Sequence, residues 1–288
     1  MSKMVSIVLP TYNGENFLRK SIESCLNQTY KNIELIVIND CSTDRTEEII
    51  LSFNDSRIIY HKNKSNQKLP RSLNIGFDIA KGDYLTWTSD DNYYQENAIE
   101  KLVHQLEKNN IDLAYASYWT IDEDNKITGE RLVGETKDIL LDNIIKACFL
   151  YKKEVLEKIG GYNPDLFLVE DYDYWIRIVL NDFKIRKINE KLYFYRFHEG
   201  SLTETRRKQI SEALYQLLSI RVKEFEQSKK KEYLTGKVYM KLAKLSASKN
   251  NGLTKKYIFK AVFKAPILIF SKELMKISAK MLFKKQIK

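Results

Sequence analysis

Short β-branched runs alternate with helical patterns along residues 1–92, and this alternation restricts the fold more than any other feature of the chain. Val5–Leu9 (VSIVL) reads as a buried strand. Asn13–Leu26 follows as a helix with Phe17, Leu18, Ile22 and Leu26 at helical spacing. Glu34–Ile38 (ELIVI) is a second strand, with a turn at Asn39–Asp44 and a helix from Thr43. Arg57–Tyr60, Ser72–Ala80 and Asp83–Thr88 continue as strand, helix, strand. Strands separated by helices predict βαβ units and an α/β fold with a mostly parallel sheet. In such sheets ligands bind beyond the carboxyl ends of the strands, so the residues just after each strand are the first candidates.

From residue 112 to 200 strands (Asp112–Tyr118, Leu192–Phe197) mix with helices (Lys153–Ile159, Tyr172–Leu180). After Gly200 the pattern is helical and rich in Lys. Charge divides at the same place. The whole chain of 288 residues carries 48 Lys plus Arg against 38 Asp plus Glu, net +10. Residues 1–200 hold 26 basic and 32 acidic side chains, whereas residues 201–288 hold 22 and 6. The two regions are therefore expected to meet different partners, the basic one an anionic surface. The 43% hydrophobic and 30% charged content excludes a disordered chain. No run approaches the roughly 18–20 apolar residues of a spanning helix, and MSKMVSIVLP lacks the pattern of a signal peptide. Cys25, Cys41 and Cys148 have neither disulfide-framework nor zinc spacing, so a reducing, cytoplasmic setting is expected.

Three strand ends are unusually polar: Pro10-Thr11-Tyr12-Asn13, Asn39-Asp40-Cys41-Ser42-Thr43-Asp44, and Thr88-Ser89-Asp90-Asp91-Asn92. Carboxylates at neighbouring strand ends can accept hydrogen bonds from a nucleoside, or hold a hard divalent cation against phosphate oxygens. Neither a Gly-rich dinucleotide fingerprint nor a phosphate-loop motif is present. A metal on Asp90 with positive charge nearby would handle phosphates instead. Taken singly, each turn is equally an ordinary Asx turn or helix cap.

Taken in order, these segments resemble the family 2 inverting glycosyltransferases of the GT-A fold. The likeness runs through SIVLPTYNGENFLRKSIESCLNQTYKNIELIVINDCSTD, LPRSLNIGFDIAKGDYLTWTSDDN, KIGGYNPDLFLVEDYDYWIRI and LYFYRFHEGSLT. It implies a catalytic domain over 1–203, with a nucleotide-sugar half to about residue 92 and an acceptor half from 93, followed by a helical basic region over 204–288. By position, Pro10, Thr11, Tyr12 and Asn13 would border the nucleotide, Asp40 its base or ribose, and Arg71 the diphosphate. Ser89 and Asp90 would bind the donor nucleotide, with Asp90 and His198 holding Mn²⁺ or Mg²⁺ and Arg196 balancing diphosphate charge. The family usually carries an acid where Thr88 stands, so the metal site is expected to be less negative. Glu170-Asp171 matches the acid pair of the family: Asp171 as general base, Glu170 shaping the acceptor side. Trp119 and Trp175 are candidates for core or acceptor wall.

The resemblance implies a nucleotide-sugar donor, most readily a UDP-sugar, and a glycan or lipid-linked acceptor in surface polysaccharide synthesis. Two other readings keep the same residues: a sugar nucleotidyltransferase, which would need a Gly- and Lys-containing first loop, and a nucleotide-sugar-binding protein that has lost turnover, for which Thr88 speaks. In residues 255–288, Lys256, Lys260, Lys264 and then Lys272, Lys276, Lys280, Lys284 recur every four residues. Ile267, Phe270, Leu274, Ile277 and Met281 form an apolar stripe opposite them. This pattern predicts a helix lying in an anionic membrane surface, on the inner face of the cell membrane. Docking on the catalytic domain or pairing of two copies is the alternative. Nucleic acid is disfavoured because no recognised binding module accompanies the charge.

Overall fold

A computed structural model of the chain describes residues 2–227, 232–247 and 251–283. It divides into two compact units: Met1–Ile139 with Asn143–Glu204, and Leu140–Asp142 with Thr205–Lys288.

The first unit opens with β1 (Val5–Thr11), α1 (Leu18–Leu26), β2 (Ile33–Asn39), α2 (Thr46–Leu51), β3 (Ile58–Lys62), α3 (Leu69–Ile79) and β4 (Tyr84–Trp87). It continues with β5 (Tyr93–Tyr94), α4 (Ala98–Asn109), β6 (Leu113–Ile121), β7 (Ile127–Arg131), β8 (Phe149–Lys152), α5 (Lys153–Ile159), α6 (Glu170–Leu180) and β9 (Ile185–Arg196). Among the described residues these strands form one nine-stranded sheet, ordered β3-β2-β1-β4-β8-β6-β9-β5, with β7 on β6. The first four strands pair in parallel. Beyond β4 the sheet is mixed: β8 is antiparallel to both β4 and β6, whereas β6 and β9 run parallel.

Strands β1 and β2 are buried along their whole length, as expected of parallel strands covered on both faces. Helix α3 lies very close to β1, because a Cβ at Gly76 would collide with Val8. The same helix uses Asn74 as a clamp: its amide donates to the Tyr162 carbonyl and accepts from the Tyr162 N–H, both at 2.8 Å. Arg177 holds the neighbouring Gly160-Gly161 turn by donating to the carbonyls of Ile159 and Gly161. The Asn74-Ile75-Gly76 and Gly160-Gly161-Tyr162 segments are thus one structural joint. Its product is a fixed start for α6, where Glu170 and Asp171 stand. On the other side, the short β5 pairs antiparallel with β9 through Tyr93 and Phe194. That pairing brings the Asp90–Asn92 turn to the Arg196 end of β9.

A short helix, α7 (Leu202–Thr205), ends this unit. The second unit is helical: α8 (Arg207–Glu226), α9 (Glu232–Ser246), α10 (Asn251–Lys264) and α11 (Lys272–Phe283), with a 3₁₀ segment at Pro266–Phe270. Its core joins Leu217, Leu218, Val222 and Phe225 with Val238, Tyr239, Leu242, Ala261, Ala265 and Leu268. Helices α9 and α10 approach through small residues: a Cβ at Gly236 would press on Ala265 and the Ala261 carbonyl. No helix among the described residues is long and apolar enough to cross a membrane.

The terminal region differs in detail from its sequence pattern. Lys260 faces the unit, donating to the Tyr239 hydroxyl at 2.9 Å and pairing with Glu226 at 3.4 Å. Lys264 lies 4.0 Å from Glu232. The expected apolar stripe is divided: Ile277 is in the core, while Ile267 and Phe270 are exposed. The break at Ser271 between the 3₁₀ segment and α11 ends the helical register that would have aligned them. Lys280 and Lys284 lie outside the described side chains.

Candidate active site

The carboxyl ends of β1, β2 and β4 converge, as the polar turns require of neighbouring parallel strands. Thr11 and Asp90 meet directly, the Thr11 Oγ1 donating to Asp90 Oδ2 at 2.6 Å. Gly14 makes this possible: a Cβ there would strike both Asp90 Oδ2 and Thr11 Oγ1. The turns after β1 and β2 are also cross-linked. Asn13 N donates to Ser42 Oγ at 3.0 Å, and Asn13 Oδ1 accepts from Thr43 N at 2.9 Å. Asn13 has φ 55°, a left-handed conformation that Asn tolerates better than most residues. Gly14 N donates to Thr46 Oγ1, and Glu15 N to Asp44 Oδ2. These bonds leave Tyr12 on the outside, 51% exposed, while Thr11 is buried beneath it.

Asp40 is buried at the end of β2 and accepts from Asn63 Nδ2, Gln67 N and Lys68 N at 2.7, 2.7 and 3.0 Å. Its carboxylate therefore shapes the 63–68 loop that leads into α3. Arg71 is exposed on the first turn of that helix. The Ser89 carbonyl accepts from Ser21 Oγ at 3.0 Å, fixing the chain just before Asp90 against α1.

Asp90 and Asp91 form the first acid pair. Burial, followed by the neighbouring Asp91 charge, pushes the Asp90 carboxyl up to about 7. Asp91 Oδ2 lies 3.1 Å from His198 Nε2, and its hydrogen bond is the first cause that raises the His198 imidazole above its ordinary value. Asp91 Oδ1 is buried with no hydrogen-bond partner. Two adjacent acids, an orphaned carboxylate oxygen and an imidazole are donor chemistry that fits a divalent cation. Among the described residues, no group of three or more His, Cys, Asp or Glu side chains is already gathered around one point. Thr88 is fully buried and shares a 2.6 Å hydrogen bond with the Tyr193 hydroxyl, so it serves the core beneath the site.

Arg196 has a different place from the one its position in the motif implies. It is 1% exposed, and its guanidinium donates to the carbonyls of Asp91, Asp122 and Glu123 and to Asn125 Oδ1, at 2.7–3.0 Å. It also stacks over Phe17, 4.4 Å from the ring centroid. With its donors committed to the chain, Arg196 acts as a brace for the Asp91 turn, not as an open cation for a diphosphate.

Glu170 and Asp171 form the second pair, in the first turn of α6. Glu170 is buried, and its Oε2 has no hydrogen-bond partner. Burial first, then the Asp171 charge, pushes its carboxyl up to about 8, so it is mostly protonated near neutrality. Asp171 is half-buried and held at both oxygens: Oδ2 accepts from Asn143 Nδ2 at 2.7 Å, Oδ1 from Tyr172 N at 2.6 Å. Burial raises its pKa, while Asn143 is the leading influence that lowers it. Among the described residues no Lys or Arg forms an ion pair with Asp90, Glu170 or Asp171. Burial pushes the Tyr195 hydroxyl, which shares a 3.3 Å hydrogen bond with Thr203 Oγ1, up to about 12. Trp175 is fully buried in the core against Phe149, whereas Trp119 is half-buried beneath the Lys191 ammonium.

Sequence reasoning did not single out Gly14, Asn143 or Tyr195. Gly14 stands within the quoted first turn, and a glycine there signals close backbone approach. Asn143 has no local signal, since its partner is 28 positions away.

The glycosyl transferase family 2 model matches residues 6–160. Over 224 residues the chain is 33% identical to the Escherichia coli UDP-Glc:alpha-D-GlcNAc-diphosphoundecaprenol beta-1,3-glucosyltransferase WfaP, covering 77% of this chain and 88% of that protein. S. aureus TarS 1–349 in complex with UDP-GlcNAc is similar in structure, with TM-score 0.66 and 15% identity over 90% of this chain and 79% of that TarS fragment. The mannosyltransferase PcManGT from Pyrobaculum calidifontis, in complex with GDP-Man and Mn²⁺, gives TM-score 0.63 and 13% identity over 98% and 86%. The chain has the GT-A fold of these neighbours, and it belongs to glycosyl transferase family 2.

Proposed function

We propose that this glycosyltransferase is an inverting enzyme that moves a sugar from a UDP-sugar to a hydroxyl of a glycan or lipid-linked acceptor, at the inner face of the cell membrane. The observation that carries the reading is the state of Asp171: a carboxylate held by Asn143 at a helix start, with no Lys or Arg paired to it. Hydrogen bonds and the helix dipole keep it anionic, while burial keeps it basic. It takes the proton of the acceptor hydroxyl as that oxygen bonds to the anomeric carbon. The bond from that carbon to the leaving phosphate oxygen breaks on the opposite face, and its electron pair departs with UDP. Glu170, neutral beside it, shapes the acceptor side without competing for the proton.

Asp90, Asp91 and His198 would hold Mn²⁺ or Mg²⁺, which offsets the charge on the departing diphosphate. The Thr11–Asp90 contact and the Gly14 approach keep this edge in register with the turns of β1 and β2. Asp40 supports the nucleoside side by fixing the 63–68 loop, and Tyr12 offers an exposed ring. The UDP-sugar assignment draws on WfaP and TarS, whose names carry UDP-Glc and UDP-GlcNAc. The test is a screen of nucleotide sugars with Mn²⁺, following nucleotide release and the anomeric configuration of the freed or transferred sugar by NMR. UDP release with inversion is expected. Retention of configuration, or sugar-phosphate and nucleoside triphosphate formed in place of UDP when pyrophosphate is added, would contradict the reading.

A further inference from the structure

The helical unit carries a row of large apolar side chains on its outside. Phe259 is 71% exposed, Phe263 74% and Phe270 84%, and Ile267, Ile269 and Met275 are also more than half exposed. The packing explains why. Thr254 and Ala261 are buried on α10, and Ala261 with Ala265, just past its end, lies close against Gly236 of α9. At about 100° per residue, Phe259 and Phe263 each lie about 160° around the helix from Ala261. The core has no room for these rings. They stack on each other instead, with centroids 6.3 Å apart. At roughly 150–250 Å² per aromatic side chain, such a row exceeds the few hundred Å² of apolar patch usual on a soluble monomer.

Charge indicates what covers it. Exposed Lys255 and Lys256 fall on the outward half of α10, and Lys272 and Lys276 are exposed on α11. Glu226 and Glu232, the acids beside the row, are matched by Lys260 and Lys264. Glu273 is the only acid after Glu232, so the remaining lysines leave the face positive. A second copy would bring like charge against like charge, whereas an anionic lipid surface complements the lysines and takes up the rings. We infer that the outward row Phe259, Phe263, Ile267 and Phe270, flanked by Lys255, Lys256 and Lys272, is the surface by which the enzyme sits in an anionic lipid headgroup layer. The inference refines the membrane-face placement proposed above. It assigns contact to the outward aromatics, not to the stripe that includes the buried Ile277. With no helix able to span a bilayer among the described residues, the contact is interfacial.

The test uses the full chain and flotation with vesicles of phosphatidylcholine alone or mixed with phosphatidylglycerol. Binding is expected only to the mixed vesicles, and added salt should weaken it. The double variant Phe259→Ser/Phe263→Ser should bind on the order of tenfold more weakly, with far-UV circular dichroism and UDP release kept. If that variant does not fold, Lys255→Gln/Lys256→Gln/Lys272→Gln serves instead, and should lose the preference for the mixed vesicles. Equal binding to both vesicle types, or full binding by the folded Phe variant, would overturn the proposal. So would light scattering that shows a dimer dissociated by the Phe changes while vesicle binding persists. UDP release is read separately, so failure here leaves the transferase reading intact, and its failure leaves this one intact.

Discussion

The two acid pairs of the α/β unit are built to opposite purposes. Asp90 and Asp91 sit on a turn whose oxygens are tied by one hydroxyl and one imidazole, with one buried oxygen left over. Glu170 and Asp171 begin a helix, where one acid is neutralised by burial and the other is held as an anion by an amide and a backbone N–H. The first pair leaves a carboxylate oxygen unpartnered beside an imidazole, a donor set that a divalent cation would complete under the function proposed above. In the second, burial raises both carboxyls, and hydrogen bonds from Asn143 and Tyr172 N with the Lys146 charge oppose that rise at Asp171 alone. Adjacent carboxylates in sequence thus meet different surroundings, according to what the fold sets opposite them.

Replacing Asp90 should have the largest effect. Asp90→Ala is expected to lower UDP release by about 10³-fold or more, since it removes charge stabilisation at the leaving group, and to weaken Mn²⁺ binding measured by calorimetry. Activity within tenfold of wild type would show that the first pair is not the cation site. Gly14→Ala should come next. The added Cβ must displace Asp90 or Thr11, so about 10²-fold loss in turnover and roughly 1–3 kcal/mol of stability are expected. Chemical denaturation alongside kinetics would measure both.

Asn143→Ala sharpens the second half of the comparison. Without its amide Asp171 becomes a stronger proton acceptor but a less populated anion, so the acidic limb of the pH–rate profile should move upward and turnover at neutral pH should fall about tenfold. An unmoved limb would mean that Asn143 does not position Asp171. Glu170 gives the smallest effect. Its carboxyl is raised in the folded chain, so the folded state holds a proton that the unfolded state has lost. Stability from this group is complete below the ordinary carboxylate pKa and falls as pH rises to about 8. Melting temperatures taken across that interval should decline less in Glu170→Gln than in wild type.

Much of this was legible beforehand for a physical reason. Period-two and period-3.6 patterns report local burial, and they marked the strands ending at Thr11, Asn39 and Trp87 and hence the acid-bearing turns that follow. What escaped depends on contacts distant in sequence. Arg196 matched a motif, but only the fold shows that the carbonyls of Asp122 and Glu123 have claimed its guanidinium. Asn143 stands before β8 in sequence and reaches Asp171 over 28 positions, so nothing local marks the pair. In the tail, spacing predicted amphipathic helices, yet the side that faces inward was decided by Gly236 and Ala265 meeting closely, which hydropathy does not register.

The central claim is that Asp171 receives the acceptor proton while taking no part in nucleotide binding. Asp171→Asn keeps the shape of the side chain and removes its basicity. Turnover of the donor identified by the screen, with water or the natural acceptor, should fall about 10²–10⁴-fold, while the Kd for UDP with Mn²⁺ stays within twofold of wild type. Turnover close to that of the wild type, with UDP binding intact, would contradict the account.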